Sequence, residues 1–367
     1  MKIIIGFFIF CLVLFIYLHV QFHLKTSNDL EMYEVDQCSK EKLEEICDLR
    51  QPALFEFENA NKIMESTNQE FIKTNYHSFE IKIRNTKEDD SNSEMFIPLP
   101  LHAGIKLFEE DKNSEYLSEN NSDFLQETGV VKNMSYQDEL MRPYMVSNCN
   151  YDILMGSLNS CTPFRYEINY RNFFLLTQGS AQVKLAPPQS TRYLYPIYDY
   201  DNFEFRTPVN PWSPQPKYSA EFDKIKCLEF TLTPGKTLYI PAYWWYSIRL
   251  NLSNTCISCF RYRTYMNNIA ITPYIFMHAL QIQNVKRNTT KTVTIDETKN
   301  KKIVYDNSDN QNNGNNGNNG NTINRLNNII VENKTVIDEN TSTEISNLVE
   351  PASSTLLNDM TIGSEIV

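Results

Sequence analysis

Histidine and cysteine are the side chains that most often hold a metal or build a nucleophile, and both are sparsely placed here. The five histidines are His19, His23, His77, His102 and His278, with none between Ala103 and Met277. A pair of imidazoles from that central stretch is therefore ruled out. Of the eight cysteines, Cys256 and Cys259 form a C-x-x-C with no second such pair, and H-E-x-x-H is absent. A structural zinc site is not expected. Those two cysteines fall three apart on a predicted strand, hence on opposite faces, as core thiols or separate disulfide partners. Cys38 and Cys47 are the first candidates for a disulfide. No G-x-G-x-x-G or G-x-x-x-x-G-K-[ST] run exists, which sets aside dinucleotide and P-loop sites. With 34 Lys and Arg against 45 Asp and Glu and a net charge of −11, the chain lacks the cations to hold a phosphate backbone. Nucleic acid is not an expected partner.

Positioning any site falls to residues 30–287 of the 367, where short β-rich runs alternate with Pro and Asn turns. Strands are predicted over 53–57, 79–84, 172–176, 181–185, 227–232, 237–240, 246–250 and 255–261. Helical spacing marks 38–49 and a closing helix over 273–285, so helices sit mainly at the start and finish. Many short antiparallel strands in so few residues imply a barrel or jelly roll. Trp244 and Trp245 read as packing, His278 as a packed or surface histidine, and the aromatic run 193–200 as a β edge.

The two ends differ from this body. Sixteen apolar residues run from Ile3 to Leu18, and a helix over 3–22 would reach about 30 Å, the thickness of a bilayer core. No small-residue cleavage site follows, so residues 1–24 read as an uncleaved signal anchor. The N-terminus is expected in the cytoplasm and the body in a lumen or outside. There the N-x-S/T sites at Asn120, Asn133, Asn251, Asn288, Asn333 and Asn340 would become available for glycosylation. From Asn288 the composition shifts to Asn, Thr, Ser and acids with a tandem N-N-G repeat. Residues 288–367 thus form a low-complexity tail expected to be disordered.

Within the body, Thr162-Pro163-Phe164-Arg165-Tyr166-Glu167 is followed by Asn172-Phe173-Phe174, Gln178-Gly179, Leu185 and Pro187-Pro188. Farther on come Tyr195-Pro196, Val209-Asn210-Pro211 and the run from Leu232 through Pro234-Gly235, Leu238-Tyr239-Ile240-Pro241 and Trp244-Trp245-Tyr246. These resemble the cupin-like JmjC pattern T-P-x-H-x-D … N-F-x … G-x-K … L-x-P-P … L-x-P-G-D-x-L-Y-I-P-x-x-W-W-H. Arg50-Gln51-Pro52-Ala53-Leu54-Phe55 resembles that family's early strand. The resemblance implies a double-stranded β-helix with flanking helices, its core over 146–287 and a flanking part over 30–145. Members resembling asparaginyl hydroxylases are iron(II) and 2-oxoglutarate dioxygenases.

Such an oxygenase holds iron with two imidazoles and one carboxylate. By the resemblance, the first histidine position is Arg165, the acidic one Glu167 and the distal histidine Tyr246. The lysine that would pair with 2-oxoglutarate is Ala181, while Thr162 and Asn172 match positions near that co-substrate. Arginine is always protonated and offers no lone pair to a cation. Iron and 2-oxoglutarate are therefore not expected as cofactors. An ion pair between Arg165 and Glu167 is expected in the vacated pocket, with Tyr246 donating a hydrogen bond. The bland alternative has Arg165 reaching solvent. The expected function is that of a membrane-anchored, catalytically inactive binding or structural module. It would contact the membrane through residues 3–22 and an unknown protein or small ligand. Alternatives are an unorthodox oxygenase and a glycosylated surface protein contacting a protein or sugar.

Overall fold

The computed structural model describes residues 1–87 and 96–285. The Asn-rich tail, with Asn288, Asn333 and Asn340, lies outside the described residues. The chain opens with α1 (Lys2–Leu24), then β1 (Tyr33–Val35), α2 (Lys40–Asp48) and β2 (Ala53–Phe55). There follow α3 (Ala60–Thr67), α4 (Gln69–Tyr76), β3 (Glu80–Asn85), β4 (Ile97–Pro100), α5 (Leu101–Glu110), β5 (Tyr116–Ser118), α6 (Ser122–Glu127) and α7 (Val130–Gln137). The next strands are β6 (Val146–Gly156), β7 (Arg165–Tyr166), β8 (Arg171–Gln178), β9 (Ala181–Ala186), β10 (Ile197–Asp199) and β11 (Glu204–Arg206). The domain closes with α8 (Ser219–Phe222), β12 (Leu228–Leu232), β13 (Thr237–Pro241), β14 (Trp245–Leu250), β15 (Cys256–Thr264), α9 (Tyr265–Ala270) and α10 (Thr272–Val285).

Among the described residues these strands form two sheets. The larger has the order β1-β2-β13-β8-β15-β6-β5-β3-β4, the smaller β10-β11-β7-β14-β9-β12. Their inner faces share one core, in which Phe174, Leu176, Leu238, Ile240 and Ile257 of the large sheet meet Val183, Leu185, Tyr246 and Ile248 of the small one. Two mainly antiparallel layers closing on an apolar interior are the jelly roll that the resemblance implies. The predicted strands from Ala53 onward are present, each within a few residues of its expected ends. β8 sits between β13 and β15 with both faces covered, so its run Arg171–Thr177 is buried throughout.

Helices are not confined to the start and finish. Five of them, α3 to α7, lie between Ala60 and Gln137. Each is ten residues or shorter, too short for a sustained sequence period but stabilised by packing on the domain. β6 also escaped the sequence reading, because its first half alternates polar residues. Helix starts use local caps: Ser39 accepts from the Lys42 amide, Asn68 from Phe71 and Thr264 from Asn267.

α1 ends against the domain. The Arg50 guanidinium lies 5.1 Å from the Phe22 ring centre and 4.7 Å from that of Tyr170, and its Nη2 donates to the Phe22 carbonyl at 3.4 Å. A cation there complements the carbonyl end of the helix. His23 is buried, with Nε2 3.2 Å from the Thr264 hydroxyl, and α1 packs against α9.

Cys38 and Cys47 are both buried thiols with no bond between them. Cys38 precedes the Ser39 cap of α2 and Cys47 lies in its last turn, so a helical rise of about 12 Å from Ser39 to Cys47 separates them, beyond the reach of a disulfide. Burial pushes the Cys47 thiol up to about 12, so it is inert at neutral pH. Cys256 and Cys259 are likewise buried thiols.

Candidate functional site

Arg165 lies on β7 directly across from Tyr246 on β14. It is 6 % exposed. Its guanidinium is gripped by Glu119, Nη1 to Oε1 at 3.0 Å and Nη2 to Oε2 at 2.5 Å. Glu204 accepts from the same Nη1 at 3.2 Å, and Nε donates to the Tyr246 hydroxyl at 3.1 Å. Arg84 on β3 closes the group, its Nη1 3.0 Å from Glu119 and 2.9 Å from Glu204.

The expected direct pair between Arg165 and Glu167 is not formed. β7 stops at Tyr166, so Glu167 leaves the strand. Tyr246 stands between the two, accepting from Arg165 and donating to Glu167 Oε1 at 3.0 Å. Glu167 instead faces Arg261 at 3.3 Å and accepts from the Asn169 amide at 3.1 Å. Arg261 also reaches Asp152 at 3.3 Å. The exposed alternative for Arg165 is excluded by its burial.

Burial alone would raise the Glu119 carboxyl, but Arg165 and Arg84 outweigh it and hold the group at about 2. Burial opposes the charge on Arg165, yet Glu119, Tyr246 and Glu204 keep its pKa well above the ordinary value. The Tyr246 hydroxyl is raised chiefly by burial, so it stays protonated and can donate to Glu167.

Above this cluster opens a cleft of about 240 Å³ whose walls include Arg165, Glu167, Glu204, Arg261 and Arg263. Asn148, Asn150, Asn169 and Asn202 add amides. β6 and β15 supply much of it: Asn150 pairs across the ladder with Arg261 and Asn148 with Arg263. Two-residue spacing puts Arg261 and Arg263 on one face.

A family model described as a cupin-like domain matches residues 23–269. The chain belongs to the cupin-like domain family. HSPB1-associated protein 1 of Bos taurus is 26% identical over 194 residues, 53% of this chain and 36% of that one. The human protein of the same name is 30% identical over 95 residues, 26% of this chain and 20% of its own. Jumonji C domain-containing protein 5 of Drosophila melanogaster is 26% identical over 189 residues, 51% of this chain and 45% of that protein. The chain thus spans less than half the length of these relatives.

For a cupin-like chain that resembles the iron oxygenases, the donors at the three ligand positions do not fit a divalent metal. Arg165 has no acceptor atom and brings a positive charge, Tyr246 keeps its proton, and only Glu167 is a metal-ligating type. Among the described residues no three His, Cys, Asp or Glu side chains converge as a metal site would need. Thr162, Asn172 and Ala181 are each engaged within the protein. Thr162 Oγ1 accepts from the Ile248 amide at 2.9 Å, Asn172 donates to the Ile240 carbonyl at 3.2 Å, and Ala181 is fully buried in the core. Lys184 turns away from the interior toward Glu229 and Pro211.

The sequence reading reached Arg165, Glu167 and Tyr246 but missed Arg84, Glu119, Asp152, Glu204, Arg261 and Arg263. One signal was available: the alternations Asn148-x-Asn150-x-Asp152 and Arg261-x-Arg263 place polar rows on one face of two strands. Of the described sequons, Asn120 is exposed at the cleft rim. Asn133 and Asn251 are half-buried, with amides bonded to Ser66 at 2.5 Å and Ser180 at 3.1 Å.

Proposed function

We propose that this chain is a membrane-anchored cupin-like module that binds rather than oxidises, its metal position filled by a fixed arginine. The observation that carries the reading is the bidentate Arg165–Glu119 pair at the place of the first metal ligand, backed by Arg84, Glu204 and Tyr246. A guanidinium locked there supplies positive charge without exchangeable coordination positions, so oxygen and 2-oxoglutarate have nothing to bind. The test is metal and co-substrate binding by the full chain in detergent, with iron(II) offered anaerobically. Absence of both supports the reading. About one iron per chain, or 2-oxoglutarate turnover, overturns it in favour of an oxygenase with a rearranged donor set, for which Glu167 is the one retained carboxylate.

Anchoring rests on α1, whose 23 residues are apolar enough to span a membrane and whose most apolar stretch is not buried by any of the described residues. At about 1.5 Å per residue it extends about 34 Å. Resistance to alkaline carbonate extraction is expected, and release into the supernatant would count against it. With the domain lumenal or extracellular, Asn120 is positioned to carry a glycan. Glycosidase should shift the protein, and by less in Asn120→Gln; a protein with no shift places the domain in the cytoplasm.

A further inference from the structure

We propose that the cleft above Arg165 is an anion site with Arg263 as its receptor cation, taking a carboxylate or phosphate group borne on a small polar ligand. This rests on the binding-module reading, since it treats the floor of the cleft as protein.

Among the described residues, one guanidinium at the cleft stands without the carboxylate that each of its neighbours has. Arg84 and Arg165 are each held by Glu119 and Glu204, Arg261 by Asp152 and Glu167, and Arg206 by Glu204. Arg263 has no carboxylate within ion-pair distance among the described residues. Its Nε donates to the Asn169 side chain at 2.6 Å, and the face of the guanidinium rests 5.0 Å from the Phe203 ring centre. These contacts engage Nε and the guanidinium carbon, while among the described residues the two terminal nitrogens of this cleft-lining side chain make no hydrogen bond. Glu167, the acid that acts on it across the cleft, is already engaged by Tyr246, Arg261 and Asn169. Burial lowers the pKa of Arg263, the direction expected of a cation that lacks a full counter-charge, though arginine stays protonated at any physiological pH.

The neighbours suit an oxyanion. Asn148 sits opposite Arg263 on the ladder, and Asn150 and Asn202 extend the wall. Amides can donate to an oxyanion and accept from hydroxyl or amide groups beside it. Arginine's planar fork pairs two oxygens of a carboxylate or phosphate at once. At about 240 Å³ the space is below the usual range for drug-sized ligands, which favours a small molecule or the charged end of a larger one.

The experiment titrates metal-stripped full-length protein in detergent, at constant ionic strength, with inorganic phosphate and separately with acetate, by calorimetry and thermal melting. Saturable binding of either probe, weakened at least tenfold in Arg263→Gln and partly restored in Arg263→Lys, supports the site. The probe that binds tells phosphate from carboxylate. Binding of neither, or equal binding in wild type and Arg263→Gln, overturns it. If Arg263→Gln does not fold, Arg263→Lys alone decides, since loss of the fork must weaken binding. Iron binding in the separate metal titration would sink the binding-module reading without mimicking any of these outcomes.

Discussion

Removing Arg165 leaves the buried Glu119 with Arg84 as its remaining ion-pair partner among the described residues. Breaking a buried pair from one side typically costs about 3–5 kcal/mol, so Arg165→Met should lose about 3 kcal/mol in chemical denaturation. Combined with Glu119→Gln, the loss should be smaller than the sum of the single losses. An unchanged midpoint for Arg165→Met would contradict the cluster. The same pair sets an acid limit. Glu119 is held at about 2, below its ordinary value of 4.5, so its contribution is complete above about 4.5 and is lost as pH falls toward 2. The difference in melting temperature between wild type and Glu119→Gln should narrow across that window, and a difference that stays constant would refute the assignment. Arg165, Glu167 and Tyr246 were legible because a motif marks where they stand. Their partners were not, because pairing is decided by three-dimensional approach: Glu119 lies 46 residues from Arg165 and Glu204 lies 39.

At the scale of elements, two glycines of the family pattern differ in what they tolerate. Gly179 turns β8 into β9 at φ +85°, and a Cβ there would lie 2.6 Å from Thr255 Oγ1 and 2.7 Å from its Cα. Gly235 has φ +88° but open space around it. Gly235→Ala should cost about 1–2 kcal/mol, the left-handed penalty alone. Gly179→Ala should cost clearly more, because backbone must also move. Equal losses in parallel denaturation curves would contradict this packing. The strands from Ala53 onward were readable because turn residues punctuate apolar runs with a two-residue period. β6 was not: in its first half, Val146–Asn150, no residue is fully buried and Asn148 and Asn150 line an open cleft, so that half carries no hydrophobic pattern.

For the molecule as a whole, the end of α1 is fastened to the domain by Arg50 and by the His23–Thr264 contact. Arg50 binds the end of α1 with its side chain and accepts from Trp244 Nε1 at 3.2 Å with its carbonyl. Trp244 immediately precedes β14, the strand that carries Tyr246. Arg50→Ala should loosen the joint and speed tryptic cleavage after the exposed Lys25 in reconstituted protein. An unaltered rate would mean that the helix end is held by other contacts. Thr264, whose hydroxyl meets His23 of α1, directly follows Arg263 in the chain. If α1 crosses a bilayer, there is no tether to pay out between membrane and cleft, so the mouth keeps a constant altitude and heading over the lipid. Encounters would then be confined to a thin slab of space, open to molecules that drift laterally in the same membrane and closed to those that stand well above it.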